Sequence, residues 1–135
     1  MSVRFPDQAT AKRFFIDRIV SQAGKEGLSL SETERQMLAW SEAEMTPADA
    51  IELQARFEKE TTDSEFERKI SALVKQAYKE DLSRDGSAQT LYFEAFRMLN
   101  QGDHYLLIMI KPALGLRAEI ESFLSTLPVF FKRNR

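Results

Sequence analysis

Apolar residues recur along this chain at steps of one, three and four, and short polar stretches punctuate them. Phe15, Ile16, Ile19, Val20 and Ala23 draw a single stripe, which predicts a first helix from about Asp7 to Ala23. Gly24-Lys-Glu-Gly27 stops it. A short second helix follows Ser31 and buries Met37, Leu38 and Trp40. A third, from Pro47 to about Glu60, turns Ala50, Leu53 and Phe57 inward. The fourth opens at Thr62, carries Phe66, Ile70, Leu73, Val74 and Ala77 on one side, and ends near Gly86. A fifth, Ser87 to Asn100, shows Tyr92, Phe96 and Leu99 before Gly102 closes it.

The starts of these elements are spelled out locally. Ser31-Glu-Thr-Glu34 and Thr62-Asp-Ser-Glu65 each match the capping box, in which the hydroxyl accepts from the N–H three residues on and the glutamate reaches back. Thr46-Pro47 adds a third start, with proline where its missing N–H costs nothing.

The run Tyr105-Leu-Leu-Ile-Met-Ile110 is too continuous for periodicity to separate a buried helix from a buried strand. A lone strand leaves its backbone groups unpaired, so helix is the preferred reading, with Asp103 as its cap. Pro112 then removes the bond to the Ile108 carbonyl and kinks or ends that helix. Leu116, Ile120, Phe123, Leu124 and Leu127 form a last amphipathic stripe, terminated by Pro128. The expectation is an all-α bundle of six or seven helices in one domain over residues 1–135.

Composition narrows the function classes. At 135 residues, with 43% hydrophobic and 30% charged side chains, the chain can build a core without metal or disulfide help. Zero cysteine removes disulfides, thiolate metal sites and cysteine nucleophiles together. No apolar run approaches the ~20 residues of a membrane-spanning helix, and Met1 to Asp7 hold no signal-like stretch. These features lead to the expectation of a soluble, cytoplasmic protein. Between Glu32 and Glu67 there are 11 acidic and 3 basic residues, a net charge of −8, against +6 for the remainder and −2 overall. Such asymmetry steers a basic partner or a second copy, or else reflects acidic first turns of three helices. A pI near 5.5 argues against nucleic acid, which needs a basic stripe.

Chemistry-bearing patterns are sparse. His104 is the single histidine, so paired-imidazole metal motifs are absent, and no Gly-x-Ser-x-Gly elbow or phosphate-cradling glycine loop exists. Asp103 and His104 are the candidate polar site, and the alternative places His104 in a helix's first turn, half-packed and half-solvated. Carboxylates gather near two helix junctions, Glu42, Glu44 and Asp49 at one and Glu58, Glu60 and Asp63 at the next, without calcium-loop spacing. No cofactor is expected. Trp40 is either a core anchor or a ligand-stacking surface. Phe130, Phe131, Lys132, Arg133 and Arg135 follow Pro128, and residues 128–135 read as an aromatic-basic tail. That tail either inserts into a partner's groove, dips into an anionic membrane surface, or folds back over the core.

Three segments, Leu30-Ser-Glu-Thr-Glu-Arg-Gln-Met-Leu-Ala-Trp-Ser-Glu42, Asp63-Ser-Glu-Phe-Glu-Arg-Lys-Ile70 and Asp103-His-Tyr-Leu-Leu-Ile-Met-Ile110, resemble a family of small helical bacterial proteins of unassigned function. Its members carry strings of the kind LSExERxMLxxSE, DxxEYExKI and DHYLL. This chain departs from them at Ala39-Trp40, where an aromatic pair is commoner, and at Phe66, where tyrosine is commoner. The resemblance implies a shared helical scaffold and brings no activity, cofactor or catalytic residue.

The function expected from all this is a helical interaction or regulatory module, acting as a homodimer or on a protein partner. Trp40, Phe130, Phe131, Lys132 and Arg133 are the candidate partner-binding residues. The alternatives are a small hydrolytic or metal-assisted enzyme using Asp103 and His104, or a peripheral membrane protein held by its tail.

Overall fold

Four helix starts are built from side chains that meet free backbone N–H groups, which an α-helix leaves at its N-terminus. The computed structural model describes residues 4–41 and 45–115. Among them are six helices: α1 (Gln8–Lys25), α2 (Glu32–Ala39), α3 (Pro47–Glu60), α4 (Asp63–Arg84), α5 (Ala88–Leu99) and α6 (Leu107–Leu114). Asp7 caps α1, its Oδ1 accepting from the Thr10 N–H at 2.8 Å. Ser31 caps α2 with the full reciprocal box: the Glu34 N–H donates to Ser31 Oγ and the Ser31 N–H to Glu34 Oε1, both at 3.0 Å. Thr46 accepts from the Asp49 N–H at 3.1 Å, with Pro47 opening α3. At α4 only half of the expected box forms. Thr62 Oγ1 accepts from the Glu65 N–H, but the Glu65 carboxylate instead accepts from the Thr61 hydroxyl at 3.3 Å.

The first helix closes in a Schellman motif. The Leu28 N–H donates to the Ala23 carbonyl at 2.8 Å and the Gly27 N–H to the Gly24 carbonyl at 3.2 Å. Gly27 sits at φ +74°, where a Cβ would meet its own backbone.

Burial then organises the bundle around α4, a 22-residue helix about 33 Å long. Its buried residues are Phe66, Ile70, Leu73, Val74 and Ala77, as their spacing predicts. It packs most extensively on α6, then on α1 and α5, while α2 and α3 pair with each other on one flank. Aromatic rings grip both ends of it. Near the start, Phe66 meets Phe57 of α3 edge-on at 5.1 Å and lies parallel to Tyr105 at 6.2 Å. Near the end, Tyr78 meets Tyr92 at 4.9 Å, and Tyr92 also packs edge-on against Phe14 and Phe15 of α1. Ser71 Oγ donates to the Met109 carbonyl at 2.8 Å and ties α4 to α6.

Tyr92 is fully buried and cannot leave its hydroxyl bare. It donates to Asp81 Oδ2 at 2.6 Å, while Arg18 Nη2 donates to Asp81 Oδ1 at 2.8 Å. Burial, reinforced by the Asp81 carboxylate, pushes the phenol upward and keeps it neutral. One carboxylate thereby links α1, α4 and α5.

The structure departs from expectation at particular residues. Asp103 does not cap the sixth helix, which begins at Leu107 with no side-chain cap. The reason is a competing pairing: Ser41 and His104 form an isolated antiparallel bridge, so the chain is still extended at 104. The helix also runs past Pro112 to Leu114 and stops at Gly115, which is left-handed at φ +65°. Ala50 is half-buried and not sealed, and so is Trp40, which is the C-cap of α2. The stripe expected from Leu116 to Leu127, the residues 128–135, and Glu42 and Glu44 lie outside the described residues.

Two expectations follow. Phe66→Ala removes a ring with essentially no exposure and lowers unfolding free energy in urea by about 3–5 kcal/mol; a loss under about 1 kcal/mol contradicts the packing described. Asp7 is held below its ordinary value of 3.8 by the side-chain and backbone hydrogen bonds from Thr10. Its capping contribution is therefore complete above pH 3.8 and is lost as pH falls through the depressed value. The melting-temperature advantage of the native chain over Asp7→Asn should be constant above that pH and shrink below it. An advantage independent of pH removes the charged cap from the account.

Candidate functional site

A polar seam runs where the start of α1, the end of α2 and the segment before α6 converge. Lys12 lies one turn ahead of Phe15, on the apolar stripe of α1, and is 7% exposed. Its aliphatic stem is buried and its ammonium donates to the Ala39 carbonyl at 2.8 Å, satisfying an end carbonyl of α2. Trp40 then leaves the helix in an extended conformation. That conformation sets Ser41 opposite His104, and the Tyr105 N–H donates to the Trp40 carbonyl at 3.4 Å.

His104 is 6% exposed, with Nε2 2.8 Å from Gln8 Oε1 of α1. With the amide oxygen facing it, Nε2 carries the hydrogen and donates. Gly102 makes this contact possible by having no side chain. A Cβ there would collide with Gln8 Oε1 and lie 2.8 Å from His104 Nε2. His104 thus precedes α6 and is sealed, where the sequence suggested a half-solvated ring in a helix's first turn. Asp103, beside it, is half-buried.

A second group of polar contacts joins the starts of α2 and α4 to the same segment. The Tyr105 hydroxyl donates to Glu67 Oε2 at 2.9 Å and lies 3.5 Å from Asp63 Oδ1. Lys69 Nζ pairs with Glu34 Oε2 at 2.9 Å, the glutamate side chain being 11% exposed. Ser31 Oγ donates to Glu60 Oε1 at 2.7 Å, and this bond first, then one from Thr33, holds the Glu60 carboxyl below its ordinary range. The segments 30–42, 63–70 and 103–110 therefore meet one another through the Lys69–Glu34, Tyr105–Glu67 and Ser41–His104 contacts. Glu34, Glu67, Lys69 and the Tyr105 hydroxyl are engaged in joining these segments.

Beside the seam opens a groove of about 620 Å³ between α2, α3 and the start of α1. Ala39, Trp40, Met45 and Leu53 supply its apolar surface. Asp49, Glu52 and Arg56 of α3 stand on it, with Lys12 and Ser41 on the seam side. Arg56 Nη2 donates to Gln36 Oε1 at 2.9 Å. Among the described residues, no hydrogen bond or ion pair engages the side chains of Asp49 and Glu52, both exposed.

The structure brings together only part of the expected set. Trp40 lies on the groove, while His104 belongs to the seam beside it and Asp103 precedes His104 in the chain. Phe130, Phe131, Lys132 and Arg133 fall outside the described residues. Among the described residues, no group of three or more histidine and carboxylate side chains could hold a metal ion. No helix among them is long and apolar enough to cross a membrane. Gln8, Gln22 and Asn100 are polar participants that sequence reasoning missed. Gln22 and Asn100 are 2% and 1% exposed, and among the described residues both amide atoms of Asn100 lack a hydrogen-bond partner. Local pattern carries no trace of a Gln8–His104 pairing across 96 residues. The spacing of Lys12 from Phe15 and Ile19 was the one usable signal.

Comparison with known proteins adds no relative: no family model matches the chain, and neither a curated protein nor a solved structure matches it.

The seam makes a direct prediction. Gly102→Ala should displace Gln8 and cost about 1 kcal/mol, the value of the lost hydrogen bond. In a Gln8→Ala background the same substitution should cost less, only the approach to His104 Nε2 remaining, a coupling that urea denaturation of the four proteins measures. Strictly additive losses would show that Gly102 is required for some other reason.

Proposed function

We propose that this protein is a cytoplasmic interaction module whose groove between α2 and α3 receives an apolar side chain from a protein partner. The observation that carries the proposal is the position of Trp40. It is half-buried at the edge of the core and forms part of a 620 Å³ groove with Ala39, Met45 and Leu53. Tryptophan in such a position presents a large rigid contact area at little entropic cost, and interfaces concentrate their binding energy on such residues. The carboxylates of Asp49 and Glu52 beside it set orientation and favour a basic partner. Partner recognition then consists of burying an anchor against the indole while exposed charges steer the approach.

The enzymatic alternative has less support. His104 is sealed and its Nε2 is already bonded to Gln8, so the ring presents no open nitrogen on that side to a substrate. The membrane alternative rests on the tail alone.

The test is a photoreactive benzophenone amino acid in place of the exposed Arg56, cross-linked in living cells. The expected result is a discrete adduct with a single protein, reduced at least about tenfold by Trp40→Ala in a chain that melts cooperatively. Adducts no different from those of a probe replacing Lys79 on α4 would overturn the proposal.

A further inference from the structure

The groove's chemistry specifies more than an apolar anchor. Its two cations are turned toward the protein itself, Lys12 onto the Ala39 carbonyl and Arg56 onto Gln36. Its two carboxylates, Asp49 and Glu52, face solvent without a partner among the described residues. They belong to the stretch from Glu32 to Glu67, whose net charge is −8. The complementary ligand is therefore a peptide with large apolar side chains followed directly by cations. This chain contains one: Pro128-Val-Phe-Phe-Lys-Arg-Asn-Arg135, with two adjacent phenylalanines and three cations in the last four residues.

We propose, resting on the interaction-module reading above, that the partner is a second copy of this chain. Its residues 128–135 deliver Phe130 or Phe131 to the groove and Lys132 and Arg133 to Asp49 and Glu52. The exchange is reciprocal, two tails in two grooves, as a twofold assembly requires. Length permits it: the amphipathic stripe over 116–127, as a helix, carries the chain ~18 Å from Gly115, and Pro128 to Phe130 add ~10 Å, so Phe130 can stand ~28 Å away and reach a neighbouring copy. One ring seated in each groove buries about 150–250 Å² of phenylalanine, an anchor contact with the charge pairs around its rim. The charge pairing supplies specificity and approach, and the rings supply the adhesion.

The test uses the full chain with a benzophenone amino acid in place of Phe130. Equal parts of this protein in natural-abundance form and of the native sequence labelled with ¹⁵N are irradiated together. The expected adduct joins position 130 of the unlabelled copy to α2 or α3 of the labelled copy. Glu52→Lys should raise the dimer dissociation constant about tenfold in sedimentation, and Lys132→Glu with Arg133→Glu in the same chain should restore it. Adducts formed only within one chain, adducts elsewhere on the surface, or a monomer at 100-fold the working concentration would each overturn the proposal. If the Arg56 probe meanwhile captures a different protein, the interaction-module reading stands while this one falls. If neither probe finds the groove occupied, both fall together.

Discussion

The buried face of α4 is the constraint from which the rest of the structure follows. It carries Phe66, Ile70, Leu73, Val74 and Ala77 along a helix about 33 Å long, and no single neighbour can cover that length. Three helices share the task, α6, α1 and α5, and their own apolar faces are completed in return. Rings clamp the two ends, Phe57 and Tyr105 at one and Tyr92 with Phe14 and Phe15 at the other. Polar groups caught inside this packing must find partners, because an unpaired buried donor or acceptor costs about 1–3 kcal/mol. Tyr92 with Asp81, Lys12 with Ala39 and His104 with Gln8 are solutions to that requirement.

The polar seam follows from the same logic. Its members sit where three chain segments end or turn, and ends leave backbone groups to satisfy. Lys12 serves the Ala39 carbonyl at the end of α2, and the Ser41–His104 bridge serves two extended residues that no helix takes up. These contacts hold the α2–α3 pair at a fixed place against α1. The groove lies where that pair meets the start of α1, with Trp40 half-covered on it. The proposed recognition site is thus a by-product of how a short helix pair is fastened to a larger unit.

Much of the fold was legible because it is locally coded. The Ser31 box, Thr46-Pro47 and the stripes of α1 and α4 combine a cap with a period, and both act within one or two turns. Failures came where distant pairing overrides local preference. Asp103 has the chemistry of a cap, yet Ser41, 63 residues before His104 in the chain, draws that histidine into an extended bridge and delays the helix to Leu107. Glu65 has the spacing of a capping-box partner, yet the Thr61 hydroxyl lies within its reach and takes it. The candidate site was legible in one residue, Trp40, whose dual character as core anchor and exposed surface the structure retains. Leu53, Met45 and Asp49 could not be grouped with it, since nothing local says which face of α3 meets the end of α2.

The most direct test of this account is native-state hydrogen exchange resolved by residue. If α4 is the element on which the others depend, the amides of Ile70, Leu73 and Val74 should exchange only through global unfolding, together with Ile110 of α6. The amides of α2 and α3 should open at lower free energy, as a fastened flank would. Exchange of the α4 core ahead of Leu53 and Phe57 would contradict the account.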